Sequence, residues 1–424
     1  MRITGYRTLT TLHRWGRPVG DVNGFVESGV TAVPIVLLET SCGLTGVGLG
    51  AQNGLEVVYP ALDGQDPRAV QGLYDRMLAW VFKAGHSGAT FGAIGALDMA
   101  LWDLKAKAAG EPLWRLLGAR DHVVPAYASG LDGPLDDDRL LDVQQPFAER
   151  GFGAVKLKGG LDVDTDIRRL EAVRDLYARE SGRAPTLMLD ANESWSRKEA
   201  IRHVRRIEDR LPLAWIEEPV RRWDVEGHAH VVRSVDAAVA TGENLTGLEH
   251  FRPLLQHGAV DVVQTGSVWG ITHFLRVAGL AHAFDLPVSP VAYNTNPIAH
   301  AAAVVPNHLA TEVQDLGFPV GLAVDQSFED GQIVLGRSAG LGIEVDEAAV
   351  LALGEQADWG LAGGPHVRPR RAGHRLIAPE PHLFARRRTP SVPDVAPSPD
   401  RVDRVRADAS PSHLAADDRS EWSR

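Results

Sequence analysis

The residues best placed to do chemistry lie in Ala154-Val155-Lys156-Leu157-Lys158-Gly159-Gly160, which reads as a short buried strand carrying two lysines at i and i+2. Side chains two apart on a strand point to the same side, so both ammonium groups enter one space. Two like charges held close disfavour the doubly protonated form, and the spacing predicts that one lysine pKa falls from about 10.4 towards neutrality. That shift turns an inert cation into a usable base. The plain alternative is a pair of surface lysines on an edge strand, where lysine discourages edge pairing.

Three acidic residues follow in register. Asp190 closes LMLDAN, Glu217 lies in WIEEPV and Glu243 in TGEN, at intervals of 27 and 26 residues, each close to one β/α unit. In a parallel barrel such spacing brings the carboxylates to adjacent positions on one rim. They repel unless a cation neutralises them, and oxygen-only ligands with room for water or substrate suit Mg2+ rather than zinc. A single acid at a strand end is explained as a cap for the next helix. Three in step beside a double-lysine strand are not.

The elements that must position these groups are legible from periodicity. Residues 1 to about 50 read as strands, with a hairpin formed by Ile35–Thr40 and Val47–Leu49. Gly46, Gly48 and Gly50 imitate a dinucleotide-binding loop, but no βαβ unit surrounds them. The polar stretch from His13 to Gly24 is either a plain surface loop or a flap supplying specificity contacts, with His13, Arg14, Arg17, Asp21 and Asn23 as its candidate substrate-binding residues. Helical periodicity dominates from 54 to 117, clearest where Leu97, Leu101 and Leu104 form a stripe that Gly110 and Pro112 end.

From residue 123 eight β-prone segments alternate with helical ones: VVPAYASG, AVKLKGG, TLMLDAN, LAWIEEP, AVATGEN, VDVVQTG, PVSPVA and LATEVQ. Alternation of this kind implies an α/β class with parallel strands and right-handed crossovers, closing into a TIM-like barrel whose active site lies at the C-terminal strand ends. The expected organisation is a capping domain over 1–122 and a catalytic barrel over 123–325. A segment at 326–352 returns to the cap, and a tail at 353–424, rich in Pro, Arg, Asp and Ser, buries too little apolar surface to order itself.

Composition narrows the function classes. A formal net charge of -11 argues against nucleic-acid binding through a broad basic surface. The lone Cys42 excludes an intrachain disulfide and any multi-cysteine metal site, in keeping with a reducing cytoplasm. The N-terminus lacks the apolar core of a signal peptide, and no apolar run reaches the length of a membrane span. The expectation is a cytoplasmic protein with neither nucleic acid nor membrane as partner.

Taken in order and spacing, the double lysine, the three acids and the helix ALDMALWDLKAKAAGEPLWRLLGA resemble the enolase superfamily, specifically its mandelate racemase-like subgroup of acid-sugar dehydratases and racemases. The resemblance runs from residue 1 to about 350 and implies an N-terminal α+β capping domain over a (β/α)7β barrel. It matches Asp190, Glu217 and Glu243 to Mg2+ ligands, Lys158 to the base and Lys156 to its neighbour. It matches Asn192 and Glu312 to polar groups lining the substrate carboxylate, and implies a small-molecule carboxylate substrate and a homo-oligomer.

The chain also departs from that pattern. A His-Asp dyad on the opposite face is missing: Gln264 is followed by Thr265-Gly266-Ser267 in a shortened loop, and Val291 stands after Ser289-Pro290. Racemisation needs proton donors on both faces, so elimination of water is favoured. The general acid is Lys158 itself, Tyr293 or His300, although His300 reads as part of a packing helix, and Trp269 is expected to fill the space left by the dyad. The primary expectation is Mg2+-dependent dehydration of an aldonate or aldarate to a 2-keto-3-deoxy acid, a lyase reaction. The alternatives are a cycloisomerase, epimerase or racemase, and a member that binds metal and ligand without turnover.

Overall fold

The computed structural model describes residues 1–291 and 295–353. Tyr293 and the tail beyond 353 lie outside the described residues.

The capping unit begins with a three-stranded antiparallel sheet. Ile3–Arg14 pairs with Val30–Thr40, which pairs with Thr45–Leu49. The helix Gly88–Ala109 lies against it and ends on Gly110, whose φ of 69° needs no Cβ. This helix is buried around most of its circumference, as an alanine- and leucine-rich sequence allows. Gly46 and Gly48 serve the contact rather than a nucleotide: a Cβ on Gly48 would fall 1.9 Å from the Ala96 carbonyl oxygen.

Eight parallel strands form the barrel in chain order: Val123–Ala128, Ala154–Lys158, Thr186–Asp190, Trp215–Glu217, Ala238–Thr241, Val262–Gly266, Val288–Val291 and Thr311–Val313. Each pairs with the next through the seventh, and the eighth pairs back with the first, Glu312 opposite Tyr127. A bridge between Val288 and His308 closes the remaining seam. All eight segments read as strands in the sequence are strands of this barrel. Its interior floor is a small cluster of Tyr127, Met188, Trp215, Ala240 and Val262, with the Tyr127 and Trp215 rings edge to face at 5.3 Å. The main core lies outside the strands, between them, their helices and the capping unit.

The segment after the barrel serves both parts. Gln332–Leu335 pairs antiparallel with the start of the first barrel strand. Leu113 N–H donates to the Gly340 carbonyl, and Arg7 holds Glu347. Among the described residues no helix is long and apolar enough to cross a membrane.

Two buried groups join the parts. Asp98 of the capping helix accepts from both the Thr272 N–H at 2.7 Å and its hydroxyl at 2.6 Å, so it caps the barrel helix Ile271–His282 from outside. His300 accepts from the Trp114 N–H at 3.2 Å and has its other ring nitrogen 3.2 Å from the Leu341 carbonyl. Burial pushes Asp98 up to about 7 and His300 down to about 4.

Asp98→Ala should lower unfolding free energy by about 1–3 kcal/mol in denaturant titration, because it orphans the Thr272 N–H. His300 is neutral in the fold but protonates near 6.5 when unfolded, so its contribution is lost as pH falls through that window. The stability advantage of the native chain over His300→Gln should therefore shrink by roughly 2–3 kcal/mol between about pH 7 and pH 4. A pH-independent difference would contradict this.

Candidate active site

Parallel register sets the site. Lys158, Asp190 and Glu217 are direct neighbours on three adjacent strands, and Ala240 continues the row three residues before Glu243. Lys156 stands one pleat lower, on the same side, above the aromatic floor, with its amine 5.6 Å from the Tyr127 ring centre. The i, i+2 spacing therefore does point both amines into the barrel, and both are buried.

The amines meet acids at once. Lys156 Nζ lies 2.6 Å from Glu217 Oε1, 3.0 Å from Glu312 Oε1 and 3.7 Å from Asp190 Oδ2, while Lys158 Nζ lies 2.5 Å from Asp190 Oδ2. Gln264 and Trp215 donate to the other oxygen of Glu217, at 2.6 and 3.3 Å. Gln314 donates to Glu312, and the Asn192 N–H to Asp190 Oδ1 at 2.8 Å. Glu243 is partly exposed, on the open side, and takes the Asn244 amide at 3.0 Å; the same amide reaches Glu218 at 2.9 Å.

This corrects the expected lysine chemistry. Burial and the neighbouring Lys156 do work to lower the Lys158 pKa, but Asp190 outweighs them and the net shift is upward. Lys156 likewise rises well above its ordinary value: burial opposes its charge, and Glu217 and Glu312 prevail. The like-charge repulsion read from the spacing is real, and opposite charges across the sheet override it. The acids pay the difference. Glu217 is pushed up to about 8 by burial and then by Asp190, and Glu243 to about 7, first by burial. Asp190 alone stays below its usual range: burial opposes its charge, and Lys158 and Lys156 override it.

The three acids do not close on one another. Among the described residues no three acidic or imidazole groups lie close enough together to hold a metal ion. The donor set nonetheless suits a hard cation. The carboxyls of Asp190, Glu217, Glu243 and Glu312, with Glu218 behind them, outnumber the two ammonium groups, and the raised Glu217, Glu218 and Glu243 would lose their protons to a bound cation.

The other expected site residues are divided. Asn192, with φ 43°, sits beside Asp190, and Asn23 Nδ2 reaches the Asn192 carbonyl at 3.0 Å, so the hairpin Val19–Asp21/Gly24–Val26 touches the rim. Asp21 accepts from the Asn23 N–H and shapes that turn. Arg17 lies by Gly130 with its Nη1 buried and without a hydrogen-bond partner among the described residues. Arg14 is exposed at the end of its strand, and His13 pairs with Asp315 at 2.5 Å. His300 is withdrawn from chemistry: both ring nitrogens are engaged at the seam described above.

Where the sequence lacks the dyad, the sixth strand ends in Thr265 and Gly266 and the seventh in Val291. The Thr265 hydroxyl is buried with no hydrogen-bond partner among the described residues. Trp269 stands beside the end of the sixth strand, its indole nitrogen 3.1 Å from where a Cβ on Gly266 would lie. Its indole donates to the Glu243 carbonyl at 2.6 Å and its ring packs on Phe91. Sequence reading missed Gln264, Asn244 and Glu218; only the doubled glutamate of WIEEPV hinted at the last.

Two family models match the chain: "Mandelate racemase / muconate lactonizing enzyme, N-terminal domain" over residues 24–118 and "Enolase C-terminal domain-like" over 140–349. An L-talarate/galactarate dehydratase of Salmonella typhimurium is 37% identical over 64% of this chain and 72% of its own length. A 3,6-anhydro-alpha-L-galactonate cycloisomerase of Streptomyces coelicolor is 32% identical over 73% of this chain and 88% of its own. The crystal structure of a racemase from Streptomyces coelicolor A3(2) with bound magnesium superposes with a TM-score of 0.74 at 30% identity, covering 83% of this chain and 99% of that one.

Proposed function

The chain belongs to the mandelate racemase / muconate lactonizing enzyme family of the enolase superfamily, and from that premise we propose that it removes the α-proton of a sugar-acid carboxylate and expels a β-oxygen. The observation that carries this reading is the buried Lys158 amine in contact with Asp190, level with Glu217 on the adjoining strand. A purely structural ion pair has no need of a second lysine and surplus acids.

Asp190, Glu217 and Glu243 are the residues that would hold Mg2+, the ion bound in the racemase structure above. Such an ion supplies positive charge to the substrate carboxylate as the α-carbon loses its proton. Lys158 takes that proton. Because Asp190 favours the charged form of Lys158, base action requires the Lys158–Asp190 contact to open. Lys156, fixed between Glu217 and Glu312, adds positive charge beneath the reacting carboxylate. Gln264 and Trp215 keep Glu217 from rotating.

One base on one face suits β-elimination better than racemisation. Dehydration of an aldonate or aldarate to a 2-keto-3-deoxy acid is the reading we favour, with Lys158 returning its proton to the departing hydroxyl on the same face. A second reading is ring-opening cycloisomerisation. The described ends of the sixth and seventh strands carry Thr265, Gly266 and Val291, none a proton donor at neutral pH, which favours a leaving oxygen that needs little protonation.

Incubation with a panel of aldonates, aldarates and their lactones plus Mg2+, followed by proton NMR, separates the two. A keto acid one water lighter marks dehydration, and an isomer marks ring opening. Lys158→Ala should reduce kcat by roughly 10²–10⁴-fold; undiminished turnover removes Lys158 from the role of base. Gln264→Leu should weaken Mg2+ binding by about 10–100-fold in calorimetry, and unchanged affinity would detach Glu217 from the ion.

A further inference from the structure

The first and second barrel strands are bonded only at Ala128 and Val155. Beyond that point Lys156–Lys158 has no strand partner on this edge, so the main chain of Lys158 must find its bonds elsewhere. It finds them on two buried side chains. Asp132, in the loop after the first strand, accepts the Lys158 N–H at 2.9 Å. Arg169, on the helix Val163–Ser181, donates to the Lys158 carbonyl at 2.9 Å. The two are also joined to each other, Arg169 Nη2 reaching Asp132 Oδ1 at 3.1 Å and its carbonyl at 2.8 Å. Asp132 is 0% exposed and Arg169 5%. A buried ion pair is a costly way to supply two bonds that one more residue of strand pairing would give.

The same loop carries the hairpin. Gly20 N–H donates to the Leu131 carbonyl at 2.8 Å, and Gly133 N–H to the Gly20 carbonyl at 3.1 Å, on either side of Asp132. A Cβ on Gly130 would lie 3.5 Å from Arg17 Nη2 and 3.6 Å from Asp132 Oδ2, and the Arg17 charge, two residues before the hairpin, acts on the Asp132 carboxylate across that glycine. A second arm runs from Asn23 to the Asn192 carbonyl, and from the Asn192 N–H to Asp190, the partner of the Lys158 amine.

We infer that Asp132 and Arg169 are positioning residues that hold Lys158 by its main chain and relay the placement of the hairpin at 19–26 to it. Through Asp132 the hairpin reaches the backbone of the base, and through Asn192 its counterion. Strand pairing would fix Lys158 whatever the hairpin did; this clamp makes the base respond to the hairpin that reaches the rim of the site. The inference rests on Lys158 being the base.

The test is hydrogen–deuterium exchange of the full-length protein by mass spectrometry, joined to kinetics. Asp132→Ala should speed exchange in the peptide 154–160 by about tenfold, the scale of one lost buried hydrogen bond, while the capping helix 88–109 keeps its protection. Gly20→Ala places a Cβ 2.2 Å from the Gly24 carbonyl oxygen, displaces the hairpin and should also speed exchange at 154–160. Exchange confined to residues 19–26 in that variant overturns the relay, and unaltered exchange at 154–160 in Asp132→Ala overturns the clamp. With the acid that the native protein converts, deuterated at its α-carbon, Asp132→Ala should lower kcat with KM little changed and enlarge the isotope effect, and Asp132→Asn should restore part of the rate. A lower kcat with an unchanged isotope effect signals only a smaller active fraction and contradicts positioning. If the native protein converts no acid, the assignment of the base falls, while exchange still decides whether the clamp exists.

Discussion

The site answers to an excess of buried carboxyl groups over ammonium groups; burial, and then that excess, pushes Glu217 and Glu243 upward. Asp190, Glu217 and Glu312 are fully buried within the barrel and Glu243 stands at its open edge, and among the described residues Lys156 and Lys158 are the cations that face them. Such a cluster is expensive to desolvate and does not hold a fold together on its own. It persists because the parallel ladder places Lys158, Asp190 and Glu217 in one row, and because Gln264 and Trp215 donate to Glu217, Gln314 to Glu312, Asn192 to Asp190 and Asn244 to Glu243. The imbalance is what makes the site receptive to a divalent ion and an anionic substrate together.

The rest of the architecture keeps that cluster dry and aligned. An aromatic floor closes the barrel below it. The capping helix comes close enough to the shortened sixth loop that a Cβ on Gly95 would meet the Val268 carbonyl at 2.2 Å, and Asp98 then fastens it to Thr272. That loop in turn supplies Trp269 to the Glu243 main chain. The capping unit therefore steadies the one metal-ligand candidate that the strands themselves do not carry.

Much of this was legible in the chain. Alternating β-prone and helical segments gave all eight strands, because each is a short apolar run and six of the eight close on Gly, Asn or Pro. The 27- and 26-residue spacing of the acids works because one β/α unit has nearly constant length. Charge was harder. The spacing of Lys156 and Lys158 reveals their mutual repulsion, but the Asp190 that overrides it comes from another strand, and only the register shows the two in contact. His300 looked like an acid candidate because a helical histidine gives no sign of which face it turns; its partners, Trp114 and Leu341, are 186 and 41 residues away. Asp132 and Arg169 were invisible for the same reason, since nothing in a sequence marks a strand edge left without a neighbour.

The most direct test of the charge imbalance is anomalous scattering from crystals grown with Mn2+. The account predicts one peak bounded by carboxylate oxygens of Asp190, Glu217 and Glu243, with the Lys158 amine moved away from Asp190. An ion bound elsewhere, or none while Lys158 stays on Asp190, would mean that the two lysines already satisfy the cluster and that the site is not built for a metal.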